Sequence, residues 1–112
     1  MKSSYSTFDN IYILRLHPQD IECIDLGKQC LSSLGEKTFK GVVISVMMFE
    51  IITTDDIKLI ESLVNIFKLN NLHSIVCDFS VFNASILFHF IDSISFQTTL
   101  DMESAVNVFK YN

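Results

Sequence analysis

The chain has 112 residues, of which 49% are hydrophobic and 19% charged, and this composition is typical of one folded domain and not of a disordered segment. Thirteen acidic against eight basic residues give a formal net charge of -5. This charge argues against nucleic acid and anionic membranes as partners, because binding to either favours a basic surface. The longest uncharged runs, 41–49 and 79–91, are shorter than the roughly 20 residues of a membrane-spanning helix.

The first part of the chain is predicted to contain a strand and a helix. Residues 1–10 are polar and lack periodicity, so we expect a loose terminus there, followed by the domain proper at 11–112. Residues 11–16 alternate as in a strand. Residues 23–34 have helical periodicity, and Gly35 follows as a helix end.

The middle of the chain predicts a buried strand followed by a helix. Residues 41–48, GVVISVMM, are almost all apolar and rich in β-branched side chains, as in a strand that is covered on both faces. Two hydroxyl residues and two acids then mark a helix start, namely Thr53, Thr54, Asp55 and Asp56. The helix is predicted to bury an apolar face formed by Ile57, Ile60, Val64 and Phe67.

The last part of the chain completes an alternating order of strands and helices. Its elements are predicted as a strand, a helix, a short strand and a closing helix capped by Asp101, at residues 72–79, 83–94, 96–100 and 101–109. The alternation predicts a single α/β domain with a central mixed sheet of about four to five strands and about four helices. The strands at 41–48 and 72–79 are expected to be parallel neighbours at its centre.

The sequence contains no recognisable catalytic or metal-binding constellation, so we expect no enzymatic activity and no cofactor. The histidines are predicted to lie on three separate elements, at His17, His73 and His89. Asp55 and Asp56 with Asp78 are the one candidate magnesium site, but adjacent acids in a first helical turn more commonly serve the helix dipole.

The three cysteines, Cys23, Cys30 and Cys77, cannot all pair with one another inside one chain. Their spacing matches neither a metal site nor a redox motif, so we interpret them as reduced thiols of a cytoplasmic protein. Cys77 lies in a predicted buried strand, where a cysteine more commonly fills space than acts as a nucleophile.

Thr53 and Thr54 are the remaining candidates for function. They lie at the carboxyl end of a predicted central strand, where ligands and partners of α/β sheets gather. Helix capping explains a hydroxyl at this position. The alternative is that one hydroxyl is phosphorylated and that the added charge creates or blocks contacts.

Four stretches carry a resemblance to a known family. They are the buried strand GVVISVMM, the loop FEIITTDD, the helix IKLIESLVNIF and the closing stretch TTLDMESAVNVFK. In the order and spacing of these stretches the chain, from Ile11 to Tyr111, resembles the STAS domain family, the sulfate-transporter and anti-sigma-factor-antagonist domains. Among its members, the single-domain bacterial regulators of partner-switching and stressosome systems look most similar.

The resemblance implies which residues would be regulated. Thr54 aligns with the phosphorylated serine or threonine of the family, and Thr53 with the aspartate before it. The family's aspartate near the end of the strand is Ser45 here, the glycine after the next strand is Asp78, and the proline that often follows is Val81. Because the family's aspartates help to shape the phosphorylation loop, their loss leaves two alternatives open: the switch is degenerate, or Thr53 is the acceptor.

The implied function is a phospho-regulated protein-binding module of a bacterial signalling system. When unphosphorylated, it would bind a serine/threonine kinase or an anti-sigma-type regulator, and a phosphatase is a further candidate partner. The contact surface is expected to consist of Glu50, Thr53, Thr54, Asp55, Asp56 and Lys58.

Two alternatives to this function stay open, and so does self-association. One is a constitutive structural or scaffold component without phosphorylation, and the other is a small nucleotide-binding protein or enzyme. Exposed aromatic side chains would favour the scaffold, and the candidates are Phe79, Phe82, Phe88, Phe90 and Phe96.

Overall fold

The computed structural model describes residues 2–22, 25–35, 38–89 and 94–111. In these ranges one mixed sheet has its strands in chain order, namely β1 (Ser4–Phe8), β2 (Ile11–Arg15), β3 (Gly41–Ser45), β4 (Ser74–Cys77) and β5 (Gln97–Thr98). The helices are α1 (Leu26–Leu34), α2 (Thr54–Leu69), α3 (Val81–Phe88) and α4 (Met102–Lys110). The predicted α/β class and the mixed sheet are therefore confirmed.

Strand β1 corrects the expectation of a loose terminus over residues 1–10. It pairs antiparallel with β2 through a turn at Asp9 and Asn10, whose φ angles are 49° and 62°. Positive φ at both central residues is typical of a type I′ hairpin turn, which Asp and Asn tolerate. The strand has no hydrophobic alternation because all of its residues are exposed at the edge of the sheet, and this is why the sequence pattern did not indicate it.

The strands from β2 to β5 run parallel to one another. The prediction that the strands within 41–48 and 72–79 are parallel neighbours is confirmed, although both are shorter than predicted. Strand β3 ends at Ser45, and the side chains of Met47 and Met48 are exposed in the turn that follows.

The predicted helices form with shifted ends. Helix α1 ends at Gly35, which has a φ of 64°, while part of its predicted start, residues 23–24, lies outside the described residues. Helix α3 begins at Val81 instead of residue 83, and residues 90–93 of the predicted helix also lie outside the described part. Across the described ranges, no helix is long and apolar enough to cross a membrane.

The sheet has a separate apolar core on each face. The larger core packs side chains of α1 and α2 against Tyr12, Leu14 and Ile44, and it buries all four predicted side chains of α2, namely Ile57, Ile60, Val64 and Phe67. The smaller core lies under α4 and contains Ile13, Val43 and Phe109. Both faces of β3 are therefore covered, as its continuous apolar sequence predicts.

Candidate functional site

The loops that follow β3, β4 and β5 meet at the carboxyl edge of the parallel strands. Residues 46–53 connect β3 to α2, residues 78–80 connect β4 to α3, and residues 99–101 connect β5 to α4. Parallel strands all end at the same edge, so these loops form one surface, which we call the carboxyl-edge surface.

The two adjacent threonines have different roles at the start of α2. The Thr53 hydroxyl accepts a hydrogen bond from the amide of Asp56 at 3.1 Å, and the Asp56 carboxylate accepts one from the amide of Thr53 at 2.9 Å. This reciprocal pair is a capping box. Thr54 is the first residue of the helix, its side chain is exposed, and it takes no part in either bond. The capping interpretation therefore holds for Thr53 and leaves the Thr54 hydroxyl outside the cap.

Asn83 of α3 holds the loop before α2 in place. Its side chain is only 1% exposed. The amide of Ile52 donates to Asn83 Oδ1 at 2.9 Å, and Asn83 Nδ2 donates to the Phe49 carbonyl at 3.1 Å. No sequence motif marks this role of Asn83, because the loop contributes only main-chain groups to both hydrogen bonds.

Ser45 and Asp78 form a second connection that the sequence analysis missed. The Ser45 hydroxyl donates to Asp78 Oδ2 at 2.6 Å, and the amide of Met102 donates to Asp78 Oδ1 at 3.1 Å. Asp78 thus connects the end of β3 to the start of α4. Both departures from the family lie near the ends of two strands predicted to be neighbours, so the sequence contained a signal for this contact. In the structure Ser45 ends β3 and pairs with Cys77, the residue before Asp78.

The residues predicted to contact a partner lie at the end of the loop between β3 and α2 and in the first turns of α2. Glu50, Thr53, Thr54, Asp55 and Lys58 are exposed and Asp56 is half-buried. The magnesium alternative gains no support, because Asp56 belongs to the capping box and Asp78 bonds to Ser45 and Met102. In the described part of the chain, no group of three or more His, Cys, Asp or Glu residues could hold a metal ion.

Exposed apolar side chains lie in the loops after β3 and β5 and at the start of α3. We call these residues the apolar rim, and they are Met47, Met48, Ile51, Val81, Phe82 and Leu100. Of the phenylalanines singled out from the sequence, Phe82 and Phe88 are 58% and 71% exposed. Phe79 is half-buried and Phe96 is buried, and Phe90 lies outside the described residues.

Cys77 is buried in β4, and the three histidines lie outside the strands. Burial, reinforced by the charge of Asp78, raises the pKa of Cys77 to about 12, which keeps its thiol neutral and weakly nucleophilic. The histidines lie on separate elements, as predicted. His17 accepts from the amide of Gln19, His73 bonds to the Gln97 side chain, and His89 follows the end of α3.

Comparisons with known proteins identify the fold. No protein-family model matches the sequence, and no curated protein sequence matches it. Among solved structures, a serine-to-glutamate variant of RsbS from Moorella thermoacetica matches with a TM-score of 0.75 and 14% identity, over 99% of this chain and 97% of that chain. A structure of the stressosome, described as a signal integration and transduction hub, matches with a TM-score of 0.79 and 14% identity over 96% of both chains.

A third structure agrees with these two. A Thermotoga maritima protein assigned as an anti-sigma factor antagonist matches with a TM-score of 0.68 and 12% identity, over 96% of this chain and 94% of that chain. At such low identity, structural likeness speaks to the fold alone. The resemblance to STAS domains that the sequence indicates is confirmed at this level, and the chain has the STAS domain fold.

Proposed function

We propose that this chain is a protein-binding switch of a bacterial partner-switching system in the cytoplasm. Its carboxyl-edge surface binds a regulatory protein, and phosphorylation of Thr54 releases that protein. The observation that carries the proposal is the division of roles between the two threonines, because Thr53 makes the helix cap while the Thr54 side chain is exposed beside it. Thr54 can therefore take a phosphate without loss of the cap.

A phosphate on Thr54 should leave the fold nearly intact. Thr54 is the first residue of α2, and a helix N-terminus favours negative charge because of its free amides and its dipole. Repulsion from Asp55 and Asp56 opposes part of this benefit. The main effect of the phosphate should therefore fall on binding.

The composition of the surface indicates the chemistry of the partner. The apolar rim offers exposed apolar contact area at the carboxyl ends of the strands, and the exposed acids Glu50 and Asp55 flank the two threonines in sequence. A partner with an apolar centre and basic flanks fits this surface, and a net charge of -5 favours its approach. A phosphate dianion in that contact would have to lose its hydration and would separate the apolar surfaces. A serine/threonine kinase or an anti-sigma-type regulator with such a surface is the proposed partner, and a phosphatase would reverse the switch.

The experiment compares three variants as baits in extracts of the native cell. Thr54→Ala should retain the partner and Thr54→Glu should lose it. Thr53→Ala serves as the control for capping, since it should lower the free energy of unfolding by about 0.5–2 kcal/mol without selective loss of the partner. Quantitative mass spectrometry identifies proteins retained by wild type and lost by Thr54→Glu, and calorimetry with the purified partner then gives the affinities. Equal affinity of Thr54→Glu and wild type would exclude the switch.

Constitutive scaffolding is a second candidate function, and the exposed Phe88 favours it. Phe88 lies at the end of α3, away from the helix start that carries Thr54, and its side chain is 71% exposed. A scaffold would bind through such aromatic side chains irrespective of phosphorylation. Loss of assembly in Phe88→Ser, together with normal assembly of Thr54→Glu, would favour the scaffold over the switch.

A further inference from the structure

The outer edge of β1 is an open edge of the sheet. In the described ranges only β2 pairs with β1, and all five residues of β1 are exposed. Its sequence, SYSTF, contains no charge and no proline. Natural edge strands commonly carry lysine, proline or a bulge that prevents pairing with another chain, and β1 has none of these within its length.

The main-chain groups of Tyr5 and Thr7 point away from the sheet. The carbonyl of Asn10 accepts a hydrogen bond from the amide of Lys40, and the amide of Leu16 donates to the Ser45 carbonyl, so these groups face β3. Main-chain groups of successive strand residues alternate in direction, so those of residues 11, 13 and 15 face β1. Their partners in the register are Phe8, Ser6 and Ser4. Since successive residues of a strand bond to opposite sides, Tyr5 and Thr7 are left with free amides and carbonyls at the open edge.

We propose that β1 pairs antiparallel with β1 of a second copy of this chain, around a two-fold axis beside Ser6. In this register Tyr5 of each copy lies opposite Thr7 of the other, so the outward main-chain groups meet and form about four hydrogen bonds between the copies. The sheet then continues through both copies. No other register centred on the strand brings both outward residues of each copy together.

The side chains and charges of the edge also fit a second copy. Tyr5 stacks on Tyr12 with ring centroids 5.6 Å apart and is still 52% exposed, so Thr7 of the second copy would pack on a fixed aromatic ring. The two ends of the edge are oppositely charged, with Lys2 before β1 and Asp9 after it. Antiparallel pairing brings Lys2 of each copy close to Asp9 of the other.

Arg15 limits the strength of the contact. Its guanidinium donates to the Ser6 hydroxyl at 3.0 Å, so two like charges approach the two-fold axis. A contact of one short strand also buries less area than a standard interface. The pair therefore belongs to the class of weak, transient dimers, and its dissociation constant should lie in the micromolar to millimolar range. The inference is independent of the proposed function, because β1 lies two strands away from β3 and leaves the carboxyl-edge surface free.

The test uses opposite charges at the axis. Ser6 of one copy faces Ser6 of the other beside the two Arg15 guanidinium groups. Ser6→Lys adds positive charge there and should weaken self-association about tenfold, whereas the carboxylate of Ser6→Asp can pair with Arg15 and should not weaken it. A one-to-one mixture of the two variants should restore it. Sedimentation equilibrium from about 1 μM to 1 mM measures all three samples and wild type. A monomeric wild type, unchanged association of Ser6→Lys, or no recovery in the mixture would overturn the proposal.

Hydrogen exchange on the wild-type protein tests the same contact without any substitution. The amides of Tyr5 and Thr7 should exchange more slowly as the protein concentration rises, because pairing covers them. The amides of Ser6 and Phe8 serve as the matched control, since they already bond to β2 and should change little. Exchange at Tyr5 and Thr7 that does not depend on concentration would overturn the proposal even if the charged variants fail to fold.

Discussion

Replacement of Asn83 by alanine should release the loop that precedes Thr54. The Asn83 amide is the only side chain in the described residues that bonds to the main chain of both Phe49 and Ile52. Phe49 and Ile52 are 4% and 2% exposed, so water cannot readily replace the lost partners. Each unsatisfied group costs about 1–3 kcal/mol, whereas alanine gains about 0.5 kcal/mol in helix propensity. The free energy of unfolding should therefore fall by roughly 1.5–5.5 kcal/mol.

Urea denaturation with a matched control measures this effect. Ser85→Ala removes a hydrogen bond within the same helix, from an exposed hydroxyl to the Val81 carbonyl at 3.1 Å, and it should change stability by less than about 0.5 kcal/mol. Hydrogen exchange at the Ile52 amide should become much faster in Asn83→Ala and stay unchanged in Ser85→Ala. Equal stability of the two variants, or continued protection of Ile52, would show that Asn83 does not hold the loop.

Three further predictions concern the core and the titrating groups. Ile60→Ala should lower the free energy of unfolding by about 2–5 kcal/mol because Ile60 is buried, while Lys58→Ala on the exposed face should change it very little. Equal shifts of the urea midpoint in the two variants would contradict the register of α2. Burial alone would raise the pKa of Asp20, but hydrogen bonds from the amide and hydroxyl of Ser3 outweigh burial and lower that pKa. The Asp20 carboxylate therefore stabilises the fold above its unfolded pKa of 3.8, and this stabilisation is lost as pH falls through the lower pKa of the folded state. Asp20→Asn should therefore flatten the acid limb of stability against pH, and an unchanged limb would refute this. Because burial raises the pKa of Cys77 to about 12, iodoacetamide at neutral pH should label this thiol only in denaturant, which peptide mass spectrometry would detect.

The elements that the sequence predicted correctly are those whose burial leaves a pattern. Strand β3 is covered on both faces, so its β-branched run is continuous, and α2 buries one face, so its apolar residues recur at helical spacing. Capping residues also left a local signal, and Asp101 accepts from the amide of Ser104 as predicted. Strand β1 left none, because an exposed edge strand places no demand on hydrophobic alternation.

The candidate site was only half predictable for a related reason. The predicted contact residues all fall within residues 50–58, so a local pattern could place them together. The contacts that hold the loop join residues far apart in the chain and use main-chain groups, as Asn83 does with Phe49. The exposure of Met47 and Met48 was not predicted either, because two apolar residues after a buried strand look the same in the sequence whether they extend the strand or lie in an exposed turn.

The two departures from the family pattern at Ser45 and Asp78 are connected in the structure and can be understood as one exchange, in which a carboxylate moves from position 45 to position 78. Relative to the family pattern, the sequence lacks an aspartate at position 45 and a glycine at position 78. In the structure Asp78 has a φ of 68°, a conformation that favours glycine and that aspartate tolerates better than most residues. In this conformation the Asp78 carboxylate accepts a hydrogen bond from the Ser45 hydroxyl at 2.6 Å and another from the amide of Met102. Two hydrogen bonds to a charged group, at about 1.5–3 kcal/mol each, outweigh a backbone cost of about 1–2 kcal/mol. A carboxylate therefore still lies beside the end of β3, supplied by the residue that follows β4 instead of by position 45.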